Sequence, residues 1–237
     1  MKYEAVTIKD IAKALGLSTS TVSRALRDSY EISPETKKIV IEYAQQINYR
    51  PNPIALSLKE KRSRSIGIIV CEIANSFFSQ AINGIESIAY DKGYNVIIAQ
   101  SHESYEREIL NLQYLASRSI DGLLISVSSE TENLDHLINL HKRGFPIVFF
   151  DRVVEDLATH KVSVDNYKGA YDATSELIKN GHQNIAMVAG SEFLSITKER
   201  VAGYHQALSD HDLPFDANQI EYCLHGGMLY EEVEKAL

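Results

Sequence analysis

The apolar positions near the N-terminus follow the spacing of short amphipathic helices. Residues 8–15 carry apolar side chains at helical intervals, directly after a hydroxyl residue and with a carboxylate placed for a capping box. Gly16 permits a sharp turn, and the helical pattern resumes over residues 19–27. A third helix begins at Pro34, behind a serine that can act as its N-cap. Short helices joined by a tight turn and braced by another helix predict a helix-turn-helix unit over residues 1–50.

Beyond residue 64 the pattern changes to short apolar runs that alternate with amphipathic stretches. The run at residues 66–70 is almost continuously apolar, as in a strand covered on both faces. Comparable runs follow at residues 96–99, 123–125 and 147–150, with helical patterns between them. This alternation predicts a parallel, doubly wound sheet in a first α/β lobe over residues 65–160.

A second series of the same kind occupies residues 161–237. It predicts strands near residues 162–164, 185–188 and 220–222 and helices at residues 167–180, 197–209 and 231–237. Two successive lobes imply a cleft at the carboxyl ends of their strands, and lobe closure on a ligand would be a hinge motion. The pattern stops inside the last helix, so we expect a partial second lobe, from either a fragment or a truncated product.

Composition favours a globular protein of a reducing compartment. Hydrophobic residues make up 44% of the 237 residues, which is enough to form cores. Two cysteines far apart in the chain, Cys71 and Cys223, indicate neither a disulfide framework nor a zinc cluster. The polar N-terminus precedes no long apolar run, so we expect no signal peptide and no membrane span. These features predict a cytoplasmic protein without metal or cofactor.

The charge is distributed unevenly along the chain. Residues 1–64 hold twelve lysines and arginines against seven acids, a net charge of +5, whereas the remainder has a net charge of −13. A basic head on an acidic body favours a reader of double-stranded DNA joined to a separate globular domain, with DNA contact confined to the head. A chance fluctuation of charge is the alternative.

The outer face of the second helix has the chemistry of a base reader. Thr19 and Ser20 are short enough to bring the backbone close to base edges and phosphates. Arg24 can donate two hydrogen bonds to O6 and N7 of guanine. A three-helix packing module that binds no nucleic acid shares this pattern and stays the alternative.

Several motifs together resemble the LacI/GalR (lactose-repressor) family. They are TIKDIA at residues 7–12, LSTSTVSRAL at 17–26, YRPN at 49–52, NSFF at 75–78, FDR at 150–152, VDN at 164–166 and RVAGY at 200–204. At Leu17 the family often has valine. The resemblance implies an all-α helix-turn-helix head plus an α/β body like a periplasmic binding protein, with two parallel-sheet lobes of which the second is incomplete. It also implies a longer chain.

The resemblance further implies which residues contact DNA. They are Thr7, Ser18, Thr19, Ser20, Thr21, Ser23, Arg24, Tyr49, Asn52, Ala55, Leu58 and Lys59. Residues 51–64 would contain a hinge helix that pairs with its twin in a homodimer and enters the minor groove of a pseudo-palindromic operator, where Leu58 wedges between base pairs. Leu56 stands where the family usually has arginine or another polar residue, so either leucine could be the wedge. A plain linker is the alternative for this segment.

In the body, the resemblance implies a pocket for a small-molecule effector that controls operator affinity, and hence a ligand-controlled repressor. The expected contacts are Phe77, Gln100, Ser126, Asp151, Arg152 and Arg200. Amide and charged groups suit the hydroxyls of a sugar-like ligand or an anion, and Phe77 could stack on a ring. The alternatives are that Asp151 caps a helix, that Arg152 forms a surface ion pair and that Phe77 belongs to the core.

Other functional classes fit less well. The eight histidines are scattered beyond residue 100, and the chain lacks a P-loop, a GxSxG motif, an HExxH motif and a dinucleotide-binding glycine fingerprint, so we expect no enzyme. A transport binding protein would explain the body. The basic helix-turn-helix head argues against it.

Overall fold

The computed structural model describes residues 6–51, 62–225 and 229–236. Contacts divide the chain into two compact units, Met1–Ser63 and Arg64–Leu237. The first unit is called the head and the second the body.

The head is a helix-turn-helix unit, as its apolar pattern predicts. Its helices are α1 (Ile8–Leu15), α2 (Thr19–Ala25) and α3 (Pro34–Gln46). Ile11, Val22 and Val40, one from each helix, are fully buried against one another. The turn between α1 and α2 uses Gly16 at a φ of 65°, a conformation that costs glycine little. The second helix ends earlier than predicted because the chain turns at Asp28, which has a φ of 55°.

The first lobe of the body alternates strands and helices. In chain order these are β1 (Ser65–Val70), α4 (Ser76–Asp91), β2 (Asn95–Gln100), α5 (Tyr105–Ser117), β3 (Gly122–Ile125), α6 (Asp135–Lys142), β4 (Ile147–Phe150) and β5 (His160–Val162). Within the described residues the strands form a five-stranded sheet of order β2-β1-β3-β4-β5, and each neighbouring pair is parallel. All carboxyl ends therefore lie at one edge, which we call the carboxyl edge.

Both faces of this sheet are covered, which explains the continuous apolar run of β1. Ile69 packs with residues of α5 and α6, such as Leu115 and Leu137. Ile68 points to the other face and packs with Phe78 of α4. Helices on both faces leave the carboxyl edge as the place where polar groups of the loops can gather.

The second lobe has the same alternation. Its elements are α7 (Asn166–Lys179), β6 (Met187–Ala189), α8 (Ser195–Asp210), a 3-10 turn (Ala217–Gln219), β7 (Ile220–Tyr222) and α9 (Tyr230–Ala236). β6 and β7 pair in parallel. Tyr204 of α8 is buried and donates its hydroxyl to the Ile185 carbonyl at 2.7 Å, which ties the helix to the approach of β6.

One predicted strand belongs to a different sheet. The apolar pattern predicts a strand near residues 162–164 at the start of the second lobe. This prediction is wrong, because the strand found there, β5, pairs with β4 in the first sheet, with Phe149 opposite Lys161. β5 has three residues that alternate between exposure and partial burial. An edge strand this short has no long apolar face that would identify its sheet.

The contact between α7 and α8 supplies a test of the packing of the second lobe. A Cβ at Gly203 of α8 would overlap the Tyr167 carbonyl oxygen and lie 3.0 Å from the Tyr171 nitrogen, both of α7. Backbone cannot move aside as a flexible side chain can, so we expect Gly203→Ala to lower the free energy of unfolding by about 1–3 kcal/mol or more, measured by urea denaturation. Gly169→Ala on α7 is the matched control, since its Cβ meets nothing within 4 Å. It should be neutral or stabilising, and an equal loss in both variants would contradict this account.

Candidate functional sites

The exposed side of α2 forms a shallow polar concavity with α1. Ser18 accepts the Thr21 N–H at 3.0 Å as the N-cap of α2, and its hydroxyl lies 2.8 Å from the Thr21 hydroxyl. This cap starts the helix so that successive hydroxyl residues face outwards. The concavity has a volume of about 400 Å³ and is lined by Ile8, Thr19, Ser20, Ser23, Arg24 and Arg27. The structure thus brings together four of the twelve residues that were expected to contact DNA, namely Thr19, Ser20, Ser23 and Arg24.

Arginines of this face already have partners within the head. Arg24 Nη1 lies 2.9 Å from Glu31 Oε2, and both side chains are about half exposed. Arg27 donates to the Ser23 carbonyl and hydroxyl at 3.0 and 2.9 Å. Sequence reasoning missed Glu31 and Arg27, since the pattern of α2 does not show which loop residue folds back towards it.

The remaining residues expected to contact DNA occupy different surroundings. Thr7 is exposed at the start of α1, where its N–H and hydroxyl donate to the Asp10 carboxylate at 2.8 and 2.7 Å. These hydrogen bonds, the side-chain one foremost, lower the pKa of Asp10. Tyr49 is half-buried against the core of the head, and burial raises its pKa. The expected contacts in the hinge segment, Asn52, Ala55, Leu58 and Lys59, lie outside the described residues.

At the carboxyl edge of the body, polar groups from neighbouring strand ends meet. Ser126 directly follows β3, and Asp151 directly follows β4. The Ser126 hydroxyl donates to Asp151 Oδ2 at 3.4 Å. Asp151 is half-buried, and burial raises its pKa above the ordinary value although Arg152 and Arg200 oppose this. A carboxylate and a hydroxyl of this kind can bind ligand hydroxyls.

Gln100, at the end of β2, belongs to a second polar group beside the first. Its amide nitrogen donates to Glu72 Oε1 at 3.0 Å and lies within hydrogen-bond distance of the His102 ring. The Ile73 N–H donates to its amide oxygen at 3.2 Å. Glu72 and His102 were not among the expected contacts. Their positions just beyond two adjacent strand ends are the signal that could have identified them.

Phe77 and Arg200 contribute from helices. Phe77, in the first turn of α4, is 47% exposed and touches Phe78 edge-on, so it is not a core residue. Arg200 of α8 donates through Nε to Asn166 Oδ1 at 2.9 Å and is close enough to Asp151 to lower its pKa. The side chain of Arg200 is therefore oriented by Asn166, a buried residue at the start of α7.

Arg152 forms a buried ion pair and is not exposed to a ligand. Its Nη1 and Nη2 donate to the two carboxylate oxygens of Glu103 at 2.6 and 2.8 Å. Nη1 also contacts the Cys71 sulfur and the Val127 carbonyl. The side chains of Arg152 and Glu103 are 9% and 3% exposed. The structure thus places Arg152, expected to contact the ligand, in a contact that joins two loops.

These two loops carry candidate ligand groups and adopt unusual backbone conformations. His102 and Glu103 follow Gln100 and have φ values of 52° and 63°, and Asp151 has a φ of 59°. Left-handed conformations at residues other than glycine cost about 1–3 kcal/mol each and persist where their surroundings hold them. The bidentate pair connects both loops, so it restrains the backbone that follows Gln100 and Asp151.

The ionisation of Glu103 follows from the pair. Burial alone would raise the pKa of Glu103, but the hydrogen bonds and charge of Arg152 and the hydrogen bond from Ser129 outweigh it and hold the pKa below 4.5. A folded-state pKa below the unfolded value stabilises the protein above the unfolded value. That stability is lost as the pH falls through the folded-state pKa.

Breaking this pair should destabilise the body. We expect Arg152→Met or Glu103→Gln alone to lower the free energy of unfolding by about 3–5 kcal/mol in urea titrations at pH 7, because each strands a buried polar partner. The double variant should lose less than the two single losses combined. Glu103→Gln should also weaken the dependence of stability on pH below 4.5.

A surface ion pair provides the control. Lys161 Nζ and Glu155 Oε2 lie 3.5 Å apart, with side chains 24% and 64% exposed, so solvent reaches the pair and Lys161→Met should cost about 1 kcal/mol or less. Equal losses for Lys161→Met and Arg152→Met would show that the buried pair is not special.

Within the described ranges, no group of three or more His, Cys, Asp and Glu is placed to hold a metal ion. Over the same residues, no helix combines the length and apolar character needed to cross a membrane.

Comparison with known proteins matches both units. Residues 63–225 match the family model of periplasmic binding proteins and the sugar binding domain of the LacI family, and residues 7–52 match that of bacterial regulatory proteins of the lacI family. The HTH-type transcriptional repressor PurR of Vibrio campbellii is 35% identical over 207 residues, 87% of this chain and 62% of the relative. Catabolite control protein A of Priestia megaterium is 33% identical over 236 residues, 98% of this chain and 70% of the relative.

A solved structure shows the same architecture. The lac repressor dimer bound to operator and the anti-inducer ONPF aligns with a TM-score of 0.76 and 25% identity, over 92% of this chain and 65% of that one. The chain spans 62% to 64% of the length of the PurR relatives from Vibrio campbellii, Vibrio parahaemolyticus and Vibrio atlanticus. The helix-turn-helix head and the periplasmic-binding-protein-like body expected from the sequence are confirmed, and the chain belongs to the LacI family of bacterial regulatory proteins.

Proposed function

We propose that this chain is a sequence-specific DNA-binding regulator of transcription, in its action a repressor, whose operator affinity is set by a small-molecule effector. The observation that carries the proposal is the exposed face of α2. There Thr19, Ser20, Ser23 and Arg24 line one concavity of a helix-turn-helix head whose sequence matches a regulator family. Such a helix enters the major groove N-terminus first, with short polar side chains and an arginine against the bases. A regulator of transcription acts where the chromosome lies, so the proposal includes a cytoplasmic location.

The effector site in this proposal is the carboxyl edge of the first lobe together with α8. Phe77, Gln100, Ser126, Asp151 and Arg200 would contact the ligand, and Arg152 would act through its pair with Glu103. Hydroxyl, amide and carboxylate groups suit the hydroxyls of a sugar-like molecule, on whose ring the exposed Phe77 would stack. Ligand binding between the two lobes would change the angle between them and thereby change the affinity for DNA. The size of that change in affinity is the allosteric coupling free energy.

The proposal also includes a homodimer on a pseudo-palindromic operator. A helix-turn-helix dimer places its two recognition helices on half-sites one helical turn apart or a multiple of it. The lac repressor structure that resembles this chain is a dimer bound to operator. In this proposal, Asn52, Ala55, Leu58 and Lys59 would meet the minor groove between the half-sites, with Leu58 or Leu56 as the wedge. No enzymatic activity is part of the proposal.

Gel-shift titration tests DNA recognition. The wild-type chain should bind a duplex selected from a random library, with affinity falling steeply as salt rises because phosphates are neutralised. Arg24→Ala should cost about 1–3 kcal/mol on that duplex and relax the preference at one base pair. Lys38→Ala, on the exposed part of α3, is the control with the same loss of charge. A loss that is equal on every sequence would restrict Arg24 to phosphate contact, and no retention at low salt would contradict the proposal.

Thermal-shift measurements test the effector site. The compounds to be screened are D-ribose, D-glucose, D-glucose 6-phosphate and adenine. A compound that binds the cleft should raise the free energy of unfolding of the body by about 2.7 kcal/mol at a concentration of a hundred times its Kd. Asp151→Asn should remove most of that stabilisation, because the variant loses a charged acceptor for ligand hydroxyls. Asp156→Asn, at an exposed position, should retain it. A shift that survives Asp151→Asn unchanged would remove Asp151 from the site.

A further inference from the structure

The base-reading arginine of the head is not free in the structure. Arg24 Nη1 is paired with Glu31 Oε2 at 2.9 Å, where Glu31 lies in the connection between α2 and α3. The Nε and Nη2 groups of Arg24 have no partner among the residues that the structure describes. The pair therefore occupies one corner of the guanidinium and leaves one edge with two parallel N–H donors.

Other charged groups of the head are paired differently. Arg27, which also lines the concavity, is held by Ser23 and not by an acid. Asp28 pairs with Lys37 of α3 at 2.6 Å, outside the residues that line the concavity. Within the described residues, Glu31 is thus the acid that contacts an arginine of the reading surface.

Resting on the DNA-binding function proposed above, we propose that Glu31 is a specificity-determining positioning residue. It holds the Arg24 guanidinium with its Nε–Nη2 edge presented, and it opposes binding wherever that edge finds no guanine.

The first half of this role follows from the geometry of the guanidinium. Its five donors are fixed in one plane, so anchoring Nη1 restricts where the remaining edge points. That edge matches the O6 and N7 acceptors of guanine, which take two parallel hydrogen bonds. Exposed ion pairs are weak, so the contact orients Arg24 without preventing it from meeting a base.

The second half follows from charge. On a wrong sequence, the Glu31 carboxylate lies near the DNA phosphates while Arg24 makes no bidentate base contact in return. Like charges brought close together disfavour association, and this term acts on every sequence. On the correct sequence, Glu31 also strengthens the bidentate contact by orienting Arg24, and this gain offsets the repulsion. Glu31 therefore lowers affinity for random DNA more than affinity for the operator.

The test compares two variants of the full chain that remove the same charge. Glu31→Gln keeps the shape of the side chain, and Glu42→Gln on α3 is the control, because Glu42 pairs with Lys38 at 3.9 Å and not with Arg24. Binding is measured to a duplex selected by the wild-type chain from a random library and to a random-sequence duplex. We expect Glu31→Gln to lower the ratio of the affinity for the selected duplex to the affinity for the random-sequence duplex by about three- to tenfold. Glu42→Gln should leave this ratio unchanged.

A second measurement shows whether Glu31 acts through Arg24. The base pair at which Arg24→Ala loses its preference is varied, and Glu31→Gln should weaken the preference at that pair and at no other. In the double variant with Arg24→Ala, Glu31→Gln should have no further effect on it. Circular dichroism of each variant verifies that the head is folded, and both acids are exposed, so folding should persist.

Three results would overturn the inference. Equal behaviour of Glu31→Gln and Glu42→Gln would reduce the effect to net charge. A rise in affinity for both duplexes with unchanged preference would make Glu31 a competitor for Arg24 and not a positioning residue. An additional loss of preference in the double variant would show that Glu31 acts without Arg24. If the wild-type chain retained no duplex at low salt, the proposed function itself would fail, and this inference with it.

Discussion

The carboxyl edge of the body depends on the buried ion pair between Arg152 and Glu103. Burying two charges is favourable only where geometry and extra hydrogen bonds compensate for lost hydration, and here two Nη–O contacts of 2.6 and 2.8 Å and the Ser129 N–H supply them. The pair connects the loops after β2 and β4, in which His102, Glu103 and Asp151 have left-handed backbone. A strained backbone that is held in place is preorganised for a ligand.

The head uses charge in the opposite way. Its pair between Arg24 and Glu31 is exposed, so solvent screens it and a nucleic acid can compete for its members. In the proposed function, the body needs a permanent contact to position its ligand groups, whereas the head needs a contact that leaves its arginine able to bind a base. An arginine–glutamate pair is thus buried in one unit and exposed in the other, and only the exposed pair leaves its arginine accessible to a further partner.

Much of the fold was predictable because its elements have clear local signals. The helices of the head have caps and apolar stripes, and β1 has the continuous apolar run of a strand covered on both faces. β5 has neither a cap nor a continuous apolar run, and for this reason the sequence pattern assigns it to the wrong lobe. Site residues were predictable where their position at or just after the end of a strand places them at the carboxyl edge. Gln100, Ser126 and Asp151 are of this kind. The surroundings of Arg152 were not, since its partner Glu103 lies 49 positions earlier in the chain.

By itself the sequence determined the division into a basic head and an acidic body, the order of helices and strands, and the family. These follow from local periodicity, capping residues, motifs and charge, all of which are properties of neighbouring positions. The tertiary structure alone decided which polar side chains are exposed and which are buried in an ion pair. Arg24 and Arg152 look alike in the sequence, yet one is half exposed beside Glu31 and the other is buried against Glu103. Burial and pairing depend on contacts between distant positions, and the local pattern carries no record of them.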